Sequence, residues 1–447
     1  MTSALRRAVA FALVGFASVI APVADRLFAP DIATLVAAVP FLLLTGGLHV
    51  VESGVIFELF ARPGDRRDGR LYGLAGFSLS IAALILLAIQ FDMPTAVPVA
   101  ATLILSVGNV GAHVVRAQGG EPIVATAGFV VAGFLAGFGS FVLSGSISGG
   151  RPAFPVLVFL AASGALLAAL LRSMLFERDD PLVIISVGLL LWLFTDLSIS
   201  LSTSGIAIAL AITVALGYVS YALETASLPG MLTGVLLSLL TIVIGDYGWF
   251  AMLITFFGGG GLASKFRYDE KVIRGIAQEN DGARGSGNVL ANSLIALFAV
   301  LAAAASPRLT GVHPDLFLFV FAGSVAAAMS DTLSSEFGGL YDAPRLITTF
   351  ERVEPGTDGG VTWQGELAGI AGAGIIAAIA LLLFETITLG GAGVIVASGF
   401  IGMTTDSLLG ATIEGRWVGN QGVNFLATLS AGIAGAVLAV ATNIVAL

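Results

Sequence analysis

The chain has no cysteine, which removes disulfides, thiolate metal sites and cysteine nucleophiles from consideration. Charge is nearly as scarce, with 11% of the 447 residues being Asp, Glu, Lys or Arg. Lys265 and Lys271 are the only lysines, so arginine supplies the remaining basic side chains. A net charge of −9 on a lysine-poor chain argues against a nucleic-acid partner. His49, His113 and His313 stand far apart without metal-ligand spacing, which favours structural roles. A Gly-Lys-[Ser/Thr] phosphate loop, a nucleophile elbow and a serine–histidine arrangement are also missing.

What remains is apolar. A hydrophobic fraction of 57% and a mean hydropathy of +0.99 leave too little polar sequence to wet the surface of a soluble fold. The apolar runs are continuous rather than alternating, so they read as helices and not as a barrel. The expected fold class is an all-α polytopic membrane protein with roughly 13–15 spans, in two bundles. Those spans fall near 8–24, 32–60, 71–91, 97–115, 123–147, 153–173, 182–201, 206–222, 230–245, 248–260, 289–306, 312–329, 366–387, 391–405 and 422–446. The first run, after Arg6 and Arg7, lacks a cleavage signature and is read as a retained span. With the N-terminus in the cytoplasm, strict alternation puts most basic loops there too, and only Arg26, Arg151 and Arg308 fall outside.

Loop chemistry divides the chain into residues 1–222 and 223–447. In the second part the polar segments 261–288, 330–365 and 406–421 all emerge at the expected cytoplasmic face, where nucleotides are available. The runs 248–260 and 391–405 look short for a crossing, and short, glycine-interrupted spans often line a site.

Ser330 to Glu366 holds the densest chemistry. On a helix, Asp331 and Ser335 share a face, with Glu336 displaced around it. Asp406, Gly410 and Glu414 fall on another single face, and Gly410 would let a neighbour approach its backbone. Carboxylates and hydroxyls presented together suit Mg²⁺, which borrows its remaining ligands from water and substrate phosphates. Ordinary solvated helix ends would use the same residues. The run Pro355-Gly356-Thr357-Asp358-Gly359-Gly360 can form a nest of backbone N–H groups for phosphate, or simply a tight turn. Lys265 beside Gly258–Gly261, Arg284 in Arg284-Gly285-Ser286-Gly287, Arg345, and Arg416 with Asn420 are candidate phosphate holders; the positive charges also serve to keep these loops in the cytoplasm. Asn424 sits inside an apolar run and is expensive there unless paired.

Several of these motifs, in order, resemble the phytyl-phosphate kinase family of integral membrane proteins. They are Asp331-Thr332-Leu333-Ser334-Ser335-Glu336-Phe337-Gly338, Pro355-Gly356-Thr357-Asp358-Gly359-Gly360-Val361, Gly365-Glu366, and Asp406-Ser407-Leu408-Leu409-Gly410-Ala411-Thr412-Ile413-Glu414-Gly415-Arg416. The resemblance extends over about residues 225–447, including Ser264-Lys265 and Val289-Leu290-Ala291-Asn292. It implies a membrane kinase that uses CTP or another nucleoside triphosphate to convert a prenyl monophosphate, geranylgeranyl or phytyl phosphate, to the diphosphate. Geranylgeranyl phosphate is the substrate it implies for an archaeon.

The expected catalytic residues are Asp331, Glu336, Asp358 and Asp406, with Mg²⁺ on Asp331, Asp406 and Glu414. Phosphates are expected on Lys265, Arg284, Ser335, Arg345, Gly356, Thr357, Gly359, Gly360, Arg416 and Asn420. The expected partners are the prenyl lipid, the nucleotide and membrane lipids; no oligomeric state follows. In residues 1–222, His49 with Ser53-Gly54, Asp68-Gly69-Arg70 and Gly108-Asn109 resemble a faded polyprenol kinase pattern, with Asn109 where those kinases carry aspartate. A non-catalytic, scaffolding half is expected. A carrier of small or lipid-linked anions and a cytidylyltransferase acting on a lipid phosphate are the rival readings; a carrier would hold its ionisable residues in mid-span rather than at one face.

Overall fold

The computed structural model describes residues 2–197, 199–224, 226–277, 285–308 and 312–446. It is an α-helical structure in which thirteen of the described helices are long and apolar enough to cross a membrane. The chain separates into two compact units, Met1–Ile208 and Ala209–Leu447.

The first unit contains α1 (Ser3–Phe16), α2 (Ile20–Leu27), α3 (Pro30–Leu48), α4 (Val55–Phe60), α5 (Pro63–Asp68), α6 (Tyr72–Gln90), α7 (Ala96–Ala117), α8 (Pro122–Ser148), α9 (Phe154–Met174) and α10 (Asp180–Asp196). Helix α11 (Thr203–Ala222) runs across the division. The second unit continues with α12 (Leu228–Leu240), α13 (Tyr247–Lys265), α14 (Tyr268–Ile273), α15 (Ser286–Ala305), α16 (Pro314–Gly338), α17 (Trp363–Leu383), α18 (Leu389–Thr412) and α19 (Asn420–Ala441). Proline in the first turn opens several of them, including α3, α8 and α16, where a missing N–H costs nothing.

Four expected spans are redrawn. The run 32–60 breaks after Leu48, because Gly54 turns the chain at φ +90° before the short α4. The run 248–260 is the interior of the 19-residue α13. The runs 312–329 and 391–405 are the interiors of α16 and α18, which continue to Gly338 and Thr412. Apolarity ends at Asp331 and Asp406, but the backbone helix does not. Both acids therefore stand on helices, and neither short run is a broken span.

Helix α16 is the axis of the second unit. It packs against α13, α15, α17, α18 and α19, and Phe319, Phe321, Ala322, Val325, Ala326 and Ala327 are buried along it. Small residues let the backbones close in, as membrane helix pairs require. A Cβ on Gly435 of α19 would come within 2.5 Å of the Phe319 carbonyl oxygen. Between α16 and α17 a two-stranded antiparallel ribbon forms, β1 (Arg345–Leu346) with β2 (Gly360–Val361), Arg345 facing Val361. The glycine run thus leads into a strand, and a small β element joins the all-α bundle.

Candidate functional site

The polar end of this unit is where α13, α16 and α18 finish and where α15, α17 and α19 begin. On the last turns of α16 the Asp331 carboxyl and the Ser335 hydroxyl stand near each other on one face, as their four-residue spacing requires. The Asp331 carboxyl also faces the Asp406 carboxyl of α18 at close range. Residues 75 positions apart in sequence meet because α16 and α18 pack side by side. Glu414 and Asp358 lie close enough to add their charge to Asp406. Among the described residues none of these four acids has an ion-pair partner, and Asp406 Oδ1 is buried with no hydrogen-bond donor.

The glycine run is docked onto α18. Gly359 has φ +75°, and a Cβ there would come within 2.5 Å of the Ala411 Cβ and 2.6 Å of the Ser407 carbonyl oxygen. Gly410 is the complementary gap, facing the Gly359 nitrogen. Asp358 is therefore held beside Glu414, and Asn420 lies near the Glu414 carboxyl. Burial raises the Glu414 carboxyl above the usual carboxylate range, the Asp358 charge adds to this, and the Asn420 side chain opposes both. Asn420 Oδ1 in turn accepts from the Asn424 Nδ2 at 3.3 Å, which supplies the partner Asn424 needs.

A buried ion pair closes the other side. Lys271, 1% exposed, donates to Glu336 Oε2 at 2.5 Å and to the Ala263 carbonyl oxygen at 2.7 Å. Glu336 Oε1 has no hydrogen-bond partner. This lysine was not among the expected site residues; the only sequence signal was its rarity in an arginine-rich chain. The loop that follows α14 reaches the same surface: Arg274 donates to Asp342 at 2.9 Å, and Ile276 lies against Gly339 and Gly356.

The expected phosphate holders are more dispersed. Lys265 is exposed and donates to the Leu223 carbonyl oxygen at 3.1 Å, and Arg345 is exposed and donates to that of Phe350 at 2.7 Å. Arg416, Asn420, Gly356 and Thr357 are exposed, while Gly359 and Gly360 are half-buried. Arg284 lies outside the described residues. The first turns of α15 and α19, capped by Gly285 and Gly419 without side-chain caps, leave backbone N–H groups at this end of the unit.

Among the described residues no three His, Cys, Asp or Glu side chains are grouped to hold a metal alone. Two facing carboxyls with a buried oxygen that lacks a donor do fit a hard cation completed by water and phosphate oxygens, the habit of Mg²⁺.

Fold and site together define a polytopic helical membrane protein with an acidic centre, without an ion-pair partner among the described residues, at one end of its C-terminal bundle. The chain belongs to the family described as Integral membrane protein DUF92, whose profile matches residues 211–432. It is 37% identical over 212 residues to an uncharacterized membrane protein of Methanocaldococcus jannaschii, covering 47% of this chain and 84% of that protein. An uncharacterized membrane protein of Synechocystis is 34% identical over 200 residues, 43% of this chain and 76% of the relative. The chloroplastic protein VTE6 of Arabidopsis thaliana is 30% identical over 212 residues, 45% of this chain and 61% of the relative. No solved structure matches the chain. The family match contains Lys271, Asp331, Asp358, Asp406 and Glu414.

Proposed function

We propose that the C-terminal unit is a Mg²⁺-dependent prenyl-phosphate kinase, transferring the terminal phosphoryl group of CTP or another nucleoside triphosphate to geranylgeranyl or phytyl phosphate. The observation that carries this reading is the Asp331–Asp406 contact with its donorless Oδ1, with the glycine loop docked on the next turn of α18 at Gly359. The resemblance to phytyl-phosphate kinases falls on the same residues.

In this reading a phosphate oxygen of the prenyl monophosphate attacks the nucleotide γ-phosphorus. A new P–O bond forms as the bridge to the β-phosphate breaks, and the nucleoside diphosphate leaves with the bonding electrons. The attacking group is already an anion, so catalysis is chiefly positioning and charge balance. Asp331 and Asp406, with Glu414 near them, would hold Mg²⁺, which supplies charge neutralisation between the phosphates. Asp358 would orient water or metal ligands from the loop, and the N–H groups of the first turns of α15 and α19 would bind phosphate oxygens, whereas Thr357 and Gly360 spend theirs on the Glu354 and Thr357 carbonyl oxygens within the turn. Glu336, fixed by Lys271, would set the register of the last turn of α16. The prenyl tail would lie among the spans, and the site would face the cytoplasm, as the basic loops suggest.

The test is turnover of the purified chain with Mg²⁺, CTP or ATP and each prenyl phosphate. Release of nucleoside diphosphate with prenyl diphosphate, abolished in Asp331→Asn, supports the proposal. Pyrophosphate release would mark the cytidylyltransferase reading instead, and no turnover in any combination rejects both.

A further inference from the structure

The N-terminal unit holds a basic cavity that the kinase reading does not use. It is lined by Arg7 and Phe11 of α1, Arg62 at the start of α5, Asn109 and His113 of α7, and Arg172 near the end of α9, with Ala4, Ala8 and Glu177 completing the wall. The start of α1 and the ends of α7 and α9 thus gather at one end of the unit.

Two of the three guanidiniums are engaged. Arg62, buried, pairs with the buried Asp180 and lies 3.8 Å from Glu177 Oε2, and its guanidinium sits 4.3 Å over the Phe11 ring. Arg172 meets the same Asp180 at 3.4 Å. Asp65 lies beside Arg62 but spends its oxygens on the Arg62 and Gly73 backbone N–H groups. Arg7 has no carboxylate partner among the described residues; it donates only to the Ala61 carbonyl oxygen at 3.0 Å. The side chains of Asn109 and His113, one turn apart on α7, make no hydrogen bond to the described residues. Arg116 adds a further positive charge near His113.

A purely structural ion-pair staple would need Arg62, Arg172 and Asp180 and nothing else. Here a third guanidinium with no carboxylate partner, and a carboxamide and an imidazole with no hydrogen bond to the described residues, converge on the same space. The cavity volume is about 20 Å³, room for one or two water-sized oxygens at a time, so a phosphate would enter it by its oxygens and no bulky group would follow. Planar guanidinium forks favour oxyanions, phosphate above all, and basic pockets between membrane helices hold phosphorylated lipid heads.

We propose that this cavity is a phosphate-binding site of the N-terminal unit, taking a phosphomonoester whose oxygens meet Arg7, Asn109 and His113. The phosphate is borne by a membrane lipid or is free in solution. The N-terminal half is then a ligand-binding unit rather than a bare scaffold. This inference stands apart from the kinase reading and survives its failure.

The experiment uses the full chain in detergent. Native mass spectrometry measures retention of phosphatidic acid against diacylglycerol of the same chains, and thermal unfolding is followed with added inorganic phosphate. Arg7→Gln and Asn109→Ala avoid the buried Arg62–Asp180 pair, so both are expected to fold. The C-terminal unit also offers phosphate contacts, so Arg7→Gln reports on the N-terminal cavity, and Asp331→Asn serves as the comparison. Retention of phosphatidic acid but not diacylglycerol, weakened about tenfold in Arg7→Gln and in Asn109→Ala and unchanged in Asp331→Asn, supports the site with lipid as its source. Stabilisation by inorganic phosphate, lost in the same two variants, supports it with free phosphate as the source. Failure of both probes, or binding indifferent to both substitutions in folded protein, overturns it.

Discussion

Asp406 Oδ1 sits buried with no donor, and the carboxyl it belongs to faces Asp331 with Glu414 and Asp358 close by. Among the described residues no basic side chain pairs with these acids, and concentrated negative charge left unbalanced destabilises a fold, so the arrangement makes physical sense as a place where a cation binds. Glu414 tests this by titration. Its carboxyl is raised by burial first and then by Asp358, so the folded chain holds this proton more tightly than the unfolded chain. Stability from this group is full at low pH and is lost as pH rises through its raised value. Without Mg²⁺, Glu414→Gln should melt above the wild type at about pH 8, and the gap should close toward about pH 4. A gap that widens on acidification contradicts the burial argument. Lys271 makes the opposite case, because its charge is satisfied. Lys271→Met leaves Glu336 buried and unpaired, a loss of about 3–5 kcal/mol. Replacing both, Lys271→Met with Glu336→Leu, should recover most of it in a denaturation series. Sequence reading had no route to this pair, since 65 residues separate its members.

At the level of elements, the site depends on two helices running past the point where their apolarity stops. The Asp331 and Ser335 face was legible, because four-residue spacing on a helix leaves no alternative. The helix ends were not: an apolar window closes at the first acid, whereas α16 and α18 continue to Gly338 and Thr412, with the two acids facing each other. The glycine run was visible as a turn, but its seat against Ser407 and Ala411 was not, although Gly410 hinted at a close neighbour. Gly359→Ala checks that seat. It sets a Cβ 2.5 Å from the Ala411 Cβ at φ +75°, where the backbone alone costs about 1–2 kcal/mol. Amide exchange should quicken over residues 345–361 and stay unchanged in α16 and α19, and kinase turnover should fall at least about tenfold. Unaltered exchange in the ribbon would show that the loop does not rely on that contact.

On the scale of the molecule, the family match is confined to one unit. Residues 211–432 lie within Ala209–Leu447, and the aligned segment accounts for 84% of the Methanocaldococcus relative. Loop chemistry suggested a boundary near Leu223, while packing divides the chain inside α11, so a fragment should keep that helix whole. Residues 201–447 expressed alone should fold, resist proteolysis and retain the activity of the intact chain within a few-fold. Aggregation of the fragment would mean that the C-terminal unit does not fold independently. The membrane class was legible from composition at once, because 57% hydrophobic residues admit no soluble alternative. The N-terminal cavity was not, since Arg7, Asn109 and Arg172 come together only through packing.

The most direct measurement follows the label from a γ-³²P nucleoside triphosphate incubated with the purified chain, Mg²⁺ and geranylgeranyl phosphate. The kinase account predicts label in the terminal phosphate of geranylgeranyl diphosphate, and none with Asp331→Asn or Asp406→Asn proteins that still elute as folded species. Label that never enters the lipid with any nucleotide or prenyl phosphate, or equal labelling by the two variants, contradicts it.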